Sequence, residues 1–240
     1  MTAAISAAYP IDARNRIRRR PNRAVYDRAA VHAILDAGLL CHVGYVIDGQ
    51  PFVTPSAYWR HGERIYWHGS AASRMIERAV GNPVCVTVSF VDGLVLARSQ
   101  FHHSIDYRSV MLFGRPTLVE DPAEKTAAMD AFLARLYPGR VDTVRPATER
   151  ELKTISVAAM TIDQASAKVR AAGVIDEEED YALPVWAGTI PVSTRIESAV
   201  PDARLLVEPR PPVDTARYVA GARLDDVLRD LAAMAGRDLK

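Results

Sequence analysis

Cysteine is almost absent from the chain, whose 240 residues include only two, Cys41 and Cys85. They lie far apart, each within an apolar run, and neither belongs to a Cys-x-x-Cys pair. A zinc site or a disulfide framework is therefore not expected. An excess of charge is missing too, because 30 Lys and Arg residues face 29 Asp and Glu residues, for a formal net charge of +1. This balance argues against a dedicated nucleic-acid-binding protein.

Long apolar runs are also missing. The longest, about residues 39–47, is interrupted by His42 and Gly44, and it is far too short to cross a bilayer as a helix. Residues 1–10 do not combine a positively charged segment with a following apolar one, so no secretion signal is expected. We therefore expect a soluble, cytoplasmic protein that has neither a membrane nor a nucleic acid as its partner.

Catalytic nucleophile motifs are a third absence. The sequence contains no G-x-S-x-G, no H-E-x-x-H, no Walker loop and no G-x-G-x-x-G, which are the patterns of several large enzyme classes. The chain can nevertheless bury a full core, since 49% of its residues are hydrophobic. If the protein is an enzyme, we expect a bound cofactor to perform the chemistry.

Short runs rich in β-branched and aromatic residues predict a mainly β fold. Asp48-Gly49, His61-Gly62 and Asp92-Gly93 are connections of the kind that hairpins prefer. The predicted strands cover residues 39–47, 52–60, 64–68, 84–90, 94–101, 107–120 and 155–162. Six or seven antiparallel strands with closely spaced turns are typical of a small β-barrel with flanking helices.

Helical spacing and capping residues predict four helices around this barrel, at residues 27–38, 70–80, 121–136 and 222–235. The acidic run 176–180 is predicted to be a solvated loop, and residues 201–212 an extended linker. The resulting division is a flexible basic arm at residues 1–20, a barrel domain at 21–191, and a linker with a C-terminal helix at 192–240.

The N-terminal arm is rich in arginine. Its basic residues are Arg14, Arg16, Arg18, Arg19 and Arg20. Such a run is a possible contact for nucleic acid, but in a chain of near-neutral charge a mobile or partner-wrapping arm is the favoured interpretation.

The stretch from Tyr66 to Arg74 reads as the end of a strand, a tight turn and the start of a helix. Ser70 suits the N-cap, which would put Ser70, Ser73 and Arg74 on one face of the first helical turn. Two hydroxyls and a guanidinium at a helix N-terminus are well suited to a phosphate group. The alternative is an ordinary capped helix with a solvated arginine.

The strand before this turn contains Pro55, which removes a ladder donor. Pro55 is therefore expected at an edge, or where the sheet has opened and backbone groups are free to meet a flat ring with Thr54. The alternative is an edge strand protected from aggregation. Two adjacent histidines, His102 and His103, are candidates for a metal or haem only one at a time, because neighbours in a strand point to opposite faces.

An ordered series of short motifs runs along the chain. Its members are Cys41 to Gly44, Asp48 to Pro55, Tyr66 to Arg74, Asp92 to Ser99, Tyr107 to Gly114, and Ala167 to Arg170 with Trp186 to Gly188. The series resembles the flavin-nucleotide-binding branch of the pyridoxamine 5'-phosphate oxidase superfamily, close to the nitroimidazole-resistance proteins. The resemblance covers roughly Arg19 to Pro191, and its order is specific although each motif alone is not.

The resemblance implies a split β-barrel, usually a homodimer, that binds FMN at the interface between its subunits. It implies that Ser70, Ser73 and Arg74 hold the FMN phosphate, with His68 and Gly69 at the turn. The isoalloxazine ring would be lined by Val53, Thr54, Pro55 and Tyr58. Tyr107, Arg108 and Ser109 would lie on a strand that completes the site. Trp186, with Lys168 or Arg170, resembles the C-terminal elements that reach the cofactor in the partner subunit. A histidine beside the flavin is tied to activity in the nitroimidazole-resistance relatives, and His68 or else His42 is its counterpart here.

The resemblance departs from the oxidase proper around Trp186. That enzyme recognises pyridoxamine phosphate through an Arg-x-His type motif, whereas this chain has Trp186-Ala187-Gly188-Thr189, so oxidation of vitamin B6 is not expected. The leading hypothesis is an FMN-dependent oxidoreductase acting on a small molecule. The alternatives are a deazaflavin-dependent reductase and a flavin or haem carrier without turnover, with His102 or His103 as the axial ligand of the haem.

Overall fold

A computed structural model describes residues 6–206 and 216–235. Residues 207–212 of the predicted linker lie outside the described residues. The strands are β1 Ala24–Val25, β2 Leu40–Ile47, β3 Gln50–His61, β4 Arg64–Ser70, β5 Val84–Leu96, β6 Ser104–Gly114, β7 Thr117–Leu118, β8 Ile155–Thr161, β9 Gln164–Arg170 and β10 Gly188–Pro191. The helices are α1 Arg28–Asp36, α2 Arg74–Ala79, α3 Pro122–Leu136, α4 Glu149–Lys153 and α5 Leu224–Ala235.

The strands form one antiparallel sheet in the order β1-β9-β6-β5-β2-β3-β4-β8-β7, with β10 added to the far half of β5. The two ends of this order do not pair, so the sheet curls without closing. The predicted mainly β fold with flanking helices is confirmed, with ten strands in the described residues. The three shortest, β1, β7 and β10, have two to four residues each, too few for a sequence pattern to reveal.

Two apolar layers hold the sheet together. The larger lies inside the curl and contains Trp67, Tyr58 and the inward residues of β2, β5 and β6. The smaller lies between the outer side of β3, β4 and β8 and helix α3, and its centre is Trp59 stacked on Tyr66, with ring centroids 5.5 Å apart. The β4 strand therefore presents alternate side chains to two different cores.

The predicted hairpin at Asp92-Gly93 is wrong, because β5 continues through it for 13 residues. The register against β6 shifts between Val91 and Gly93, which marks a bulge in place of a turn. Gly93 is needed for close packing, since a Cβ there would lie 2.8 Å from Cγ2 of Thr189 on β10. An Asp-Gly pair occurs both in hairpin turns and in bulges where strands pack closely. The sequence pattern predicts the turn because the turn is the more common context.

The helix predicted from Ser70 starts later. Strand β4 runs on to Ser70, which pairs with Ile155, and Ser73 is the N-cap of α2, accepting a hydrogen bond from the Ile76 N–H. The prediction of Ser70 as N-cap is therefore wrong. Pairing with β8 extends the strand beyond the point where the aromatic residues end, which a local pattern does not show.

The segments at both ends of the chain pack onto the barrel. In the described part of the predicted flexible arm, Tyr9 is buried in the main core and Asn15 donates to the backbone oxygen of Ala165. At the other end α5 packs on α1 and α3, with Leu228 and Leu231 buried. Residues 6–20 therefore differ from the predicted flexible arm, and α5 packs on the body of the protein.

Two smaller predictions also differ from the structure. The long strand predicted at residues 107–120 is interrupted at Arg115-Pro116, giving β6 and β7. In the acidic run, Asp176 is buried and accepts hydrogen bonds from the backbone and side chain of Arg98. The rest of that run is a short 3-10 helix, Glu178–Ala182, at the surface.

Candidate functional site

The sheet splits along β3. Its first part pairs with β2 as far as Ala57 opposite Leu40, whereas pairing with β4 begins only at Tyr58 opposite Trp67. Residues 50–57 consequently have a ladder partner on one side only, and Pro55 sits in this half-paired stretch opposite His42. The expectation that Pro55 marks an opening of the sheet agrees with this geometry.

The turn before α2 lies beside this opening. The Arg74 guanidinium lies over the ring of Phe52, 5.0 Å from its centroid, which joins the start of α2 to the half-paired stretch of β3. Ser73 packs near Gly69, where a Cβ would lie 3.4 Å from the Ser73 Oγ. The structure therefore brings Gly69, Ser73 and Arg74 close to Phe52, a residue that the sequence reading missed although it directly precedes Val53.

The hydroxyls at this turn retain donor capacity. The Ser70 Oγ accepts from the Ala72 N–H at 3.3 Å, and the Ser73 Oγ accepts from the Ile76 N–H at 3.5 Å. Each hydroxyl therefore still has its own proton to donate. Arg74 is exposed and forms no ion pair with any residue the structure describes. One cation and two hydroxyl donors are thus available to an anion, although Ser70 reaches the turn from the strand and not from a helical face.

Thr54 and Val53 lie on opposite faces of β3. The Thr54 hydroxyl is 3.1 Å from the Tyr45 hydroxyl on the inward face, whereas Val53 is 67% exposed on the outward face. Tyr58 is farther along the strand and 0% exposed, and its hydroxyl donates to the Leu35 backbone oxygen. Burial raises its pKa. The implied role of Tyr58 as a ring contact stays a prediction, and in the structure its side chain belongs to the core.

His68 faces the smaller apolar layer. Its ring lies 5.4 Å from that of Phe132 and 6.0 Å from that of Trp59, and burial lowers its pKa, which favours the neutral ring. Its Nδ1 is buried without a hydrogen-bond partner among the described residues. The other histidine considered, His42, is exposed on the outward face of β2. His68 therefore points away from the face that carries Phe52 and Thr54, while its backbone remains beside the opening.

Arg108 is occupied by carboxylates. Its guanidinium donates to Asp92 at 2.8 Å and to Asp225 at 3.0 Å, and it also lies over the ring of Phe90. Hydrogen bonding to Asp92 raises the pKa of Arg108. Burial raises the pKa of Asp225, but the hydrogen bonds from Arg223 and Arg108 outweigh it and lower that pKa overall. The implied contact of Arg108 with the cofactor stays a prediction, and in the structure this side chain links α5 to the sheet.

The remaining implied contacts lie across the sheet. Ser109 and Lys168 pair on β6 and β9, and the Ser109 hydroxyl donates to the Lys168 backbone oxygen at 3.4 Å. Three strands lie between β9 and β3 in the sheet order. Within one chain none of these residues is therefore a ladder neighbour of the half-paired stretch of β3. Tyr107 pairs with Arg170, whose guanidinium binds the buried Asp106, and Trp186 is 68% exposed.

The outward face of the central strands carries several exposed apolar side chains. They are Leu40, Val46, Val53, Val91 and Met111. Polar residues lie between them on the same face, including His42 on β2 and Thr87 opposite it on β5. Isolated exposed apolar residues are ordinary, whereas a group of them on one sheet face is a candidate interaction surface.

His102 and His103 lie at the end of a 3-10 turn, Gln100–His102, and not in a strand as the sequence reading assumed. The His102 Nε2 is 3.4 Å from a Glu177 carboxylate oxygen, and the His103 Nδ1 is 2.8 Å from the Ser99 backbone oxygen. Their two rings are therefore held by different partners. In the described part of the chain no group of three or more His, Cys, Asp and Glu side chains is arranged to hold a metal ion.

No helix in residues 6–206 or 216–235 is long and apolar enough to cross a membrane. Burial raises the pKa of the Cys41 thiol to about 12 and also raises that of Cys85, so neither is a reactive thiolate at neutral pH.

One family model and two solved structures resemble this chain over most of its length. The family model described as pyridoxamine 5'-phosphate oxidase matches residues 27–169. The flavocytochrome Anf3 from Azotobacter vinelandii is 42% identical, with 88% of this chain and 98% of that chain covered and a TM-score of 0.83. An FAD- and haem-binding protein from Mycobacterium smegmatis is 31% identical, with 84% and 98% covered and a TM-score of 0.79.

A third solved structure shows the fold alone. It is a candidate 5-nitroimidazole antibiotic resistance protein from Bacteroides thetaiotaomicron, 23% identical, with 61% of this chain and 86% of that chain covered and a TM-score of 0.52. None of the curated proteins compared with the chain matches it. The likeness to the Azotobacter protein covers 88% of this chain and so extends beyond residues 27–169, which the family model matches.

Proposed function

The chain belongs to the pyridoxamine 5'-phosphate oxidase family, and from this premise we propose that it is a flavin-binding oxidoreductase that acts on a small molecule. The flavin proposed is FMN, with FAD as the second possibility because the Mycobacterium smegmatis relative binds FAD. A deazaflavin remains the alternative of a different cofactor class.

One observation carries the proposal. The Arg74 guanidinium, which no described carboxylate pairs, rests on Phe52 beside the stretch of β3 that has lost its second ladder partner. A flavin mononucleotide needs a cation for its phosphate and nearby hydrogen-bonding groups for the rim of its ring. The free backbone groups of residues 50–57 and the Thr54 hydroxyl supply the second requirement within reach of the first.

Each residue of the site would have its own role in binding the flavin. Arg74 would pair with the phosphate as a bidentate donor, and the hydroxyls of Ser70 and Ser73 would each donate one hydrogen bond. Val53 and Pro55 would border the ring from the outward face. When bound, the flavin supplies hydride and single-electron chemistry, and the protein fixes its orientation. The proposed electron partners are a reduced nicotinamide donor or oxygen.

We further propose that two copies of the chain associate through the outward face of the central strands. Leu40, Val46, Val53, Val91 and Met111 are exposed there, and burying them would remove apolar surface at roughly 25 cal/mol per Å². Val53 belongs both to this face and to the opening of the sheet. A partner on this face would therefore also bring a second chain to the cofactor, including its Lys168 region, which one chain alone keeps apart.

The direct test is the absorbance spectrum and mass of whatever copurifies. Bands of an oxidised flavin together with the mass of FMN or FAD in the denatured supernatant would support the proposal, and the mass of a deazaflavin would favour that alternative. A colourless protein that takes up none of the three when titrated would refute it.

Light scattering would measure whether the protein is a dimer. Met111→Lys should convert the dimer to a monomer. Leu183→Lys changes an exposed position elsewhere and should leave the dimer intact.

Haem is a second candidate cofactor. Two relatives above 30% identity are described as a flavocytochrome and as an FAD- and haem-binding protein. The observation in this chain that favours haem is the His103 ring, whose Nδ1 is engaged by the Ser99 backbone oxygen at 2.8 Å. A Soret band in the purified or haem-titrated protein would support this candidate.

A further inference from the structure

A cavity of about 650 Å³ lies between the end of β3 and the helices α3 and α5. This volume is within the range of small-molecule sites. Its walls come from the end of β3 and the turn after it, from the second half of α3 with the turn after it, and from the last two turns of α5. None of the residues proposed for the flavin or for the dimer lines this cavity, so neither proposal uses it.

Most of the cavity wall is apolar. Trp59 of β3 and Leu231 and Met234 of α5 supply its larger side chains. Each of the two helices also contributes two alanines, whose short side chains leave space between the helices: Ala131, Ala134, Ala232 and Ala235. Such a wall suits the apolar body of a small molecule.

One cation in this wall lacks a counter-ion. The two arginines that line the cavity are Arg60 and Arg135, and Arg60 donates twice to the Asp36 carboxylate. Arg135 is 4% exposed, and its guanidinium donates to the backbone oxygens of Tyr58, Asp36 and Gly38. It forms no ion pair with any residue that the structure describes, and burial lowers its pKa. A buried cation without a carboxylate favours a ligand with one negative charge.

Two buried N–H groups in the same wall also lack acceptors. The Arg135 Nε and the Trp59 Nε1 have no hydrogen-bond partner within the described part of the chain, and Trp59 is 1% exposed. Buried donors in folded proteins are nearly always paired, so two unpaired donors in one cavity wall indicate a missing acceptor. A carboxylate has two accepting oxygens and one negative charge, which matches both the donors and the unpaired cation.

We propose that this cavity binds a small amphipathic monocarboxylate, with its carboxylate at Arg135 and Trp59 and its apolar body between the alanines of α3 and α5. A neutral apolar molecule would fill the space but would leave Arg135 without a counter-ion. A nucleotide would place a polar sugar and several charges against Leu231 and Met234, which is unfavourable. The site shares no residue with the proposed flavin site, so each proposal can fail without the other.

Decanoate and decan-1-ol separate the charge of the ligand from its apolar body. Each is titrated into the purified protein and followed by isothermal titration calorimetry. Decanoate should bind at one site per chain, and decan-1-ol should bind about tenfold more weakly or worse, because it cannot form the charge-assisted hydrogen bonds. Equal affinity of the two compounds, or no saturable binding of decanoate, would overturn the proposal.

Ala134→Phe tests the place of binding. The added ring should fill the cavity and weaken decanoate binding by about tenfold or more. Ala127→Phe is the matched control, because Ala127 is exposed on the same helix and does not line the cavity. Unchanged binding in Ala134→Phe, or equal losses in the two variants, would mean that decanoate binds elsewhere and that the proposal is wrong.

Arg135→Met tests the head group. It should reduce the affinity for decanoate to that for decan-1-ol and leave the affinity for decan-1-ol nearly unchanged, because only the charge and its donors are lost. A folded variant that still prefers decanoate would overturn the role of Arg135. Since Arg135 also holds three backbone oxygens, circular dichroism checks the fold. If the variant is unfolded, the comparison of the two ligands in Ala134→Phe and in the unchanged protein decides the question.

Discussion

The turn before α2 and the junction of β6 with α5 each carry an arginine that the sequence nominated for the cofactor. Arg74, at the turn, is exposed and rests on Phe52. Arg108, at the junction, is enclosed by Asp92 and by Asp225, the latter 117 positions away in sequence. The comparison shows that the availability of an arginine for an anionic ligand is decided by carboxylates that the fold brings from distant segments. The residue type alone does not decide it.

The largest effect is expected from Arg108→Ala at the occupied junction. The change leaves Asp92, 26% exposed, without its cation and leaves Asp225, 10% exposed, with Arg223 alone. It should lower the free energy of unfolding by about 2–3 kcal/mol. Urea unfolding followed by circular dichroism measures it. Arg108→Ala/Asp225→Asn should recover part of the loss. A variant of normal stability that has lost its flavin would contradict the assignment of Arg108 to structure.

Arg74→Ala, at the open turn, should weaken FMN binding and leave the stability of the fold nearly unchanged. Removing a bidentate phosphate contact should raise the Kd for FMN about 100-fold, equivalent to about 2.7 kcal/mol, with little change in unfolding because Arg74 has no ion pair to lose. Fluorescence titration of the apoprotein measures the affinity. Arg78→Ala, which removes another exposed arginine from α2, is the matched control. Equal losses in the two variants would mean that only the net charge matters.

A smaller effect is expected from Gly69→Ala, which tests how tightly the turn is built. The added Cβ would lie 3.2 Å from the Ile76 Cδ1, so the Ile76 side chain must shift by a few tenths of an ångström, and it would contact the Ser73 Oγ at 3.4 Å. We expect the Kd for FMN to rise roughly three- to tenfold, in the range that modest overpacking produces. If the change acts through Ser73, Gly69→Ala/Ser73→Ala should be no worse than Ser73→Ala alone; additive losses would exclude this route.

The sequence predicted what depends on neighbours in the chain. Asp27 and Asp121 cap α1 and α3 as expected, each accepting from a backbone N–H three residues on. It did not predict what depends on distant strands. β8 extends β4 to Ser70, and β10 makes Gly93 a packing glycine.

The residues of the candidate site divide in the same way into those with a local sequence signal and those that depend on distant segments. The turn with Ser73 and Arg74 was found because its signal is local, and the family resemblance added residues on both sides of the sheet. The sequence did not show that Tyr58 donates to the Leu35 backbone or that Arg108 pairs with Asp225, because both contacts join segments that are far apart in the chain.

The smallest effect concerns His68, which borders the open turn but faces the apolar layer. Its pKa is lowered by burial, so between the folded pKa and the ordinary value of 6.5 the unfolded chain binds more protons. Stability is therefore lost as pH falls below about 6.5, and His32, whose pKa burial also lowers, contributes in the same direction. His68→Gln should reduce the slope of unfolding free energy against pH between 7 and 5, by a fraction of the Arg108→Ala effect. His61→Gln, which removes an exposed histidine, is the control. An unchanged slope in His68→Gln would mean that the His68 ring is protonated at no cost and that its surroundings are more polar than Trp59 and Phe132 make them.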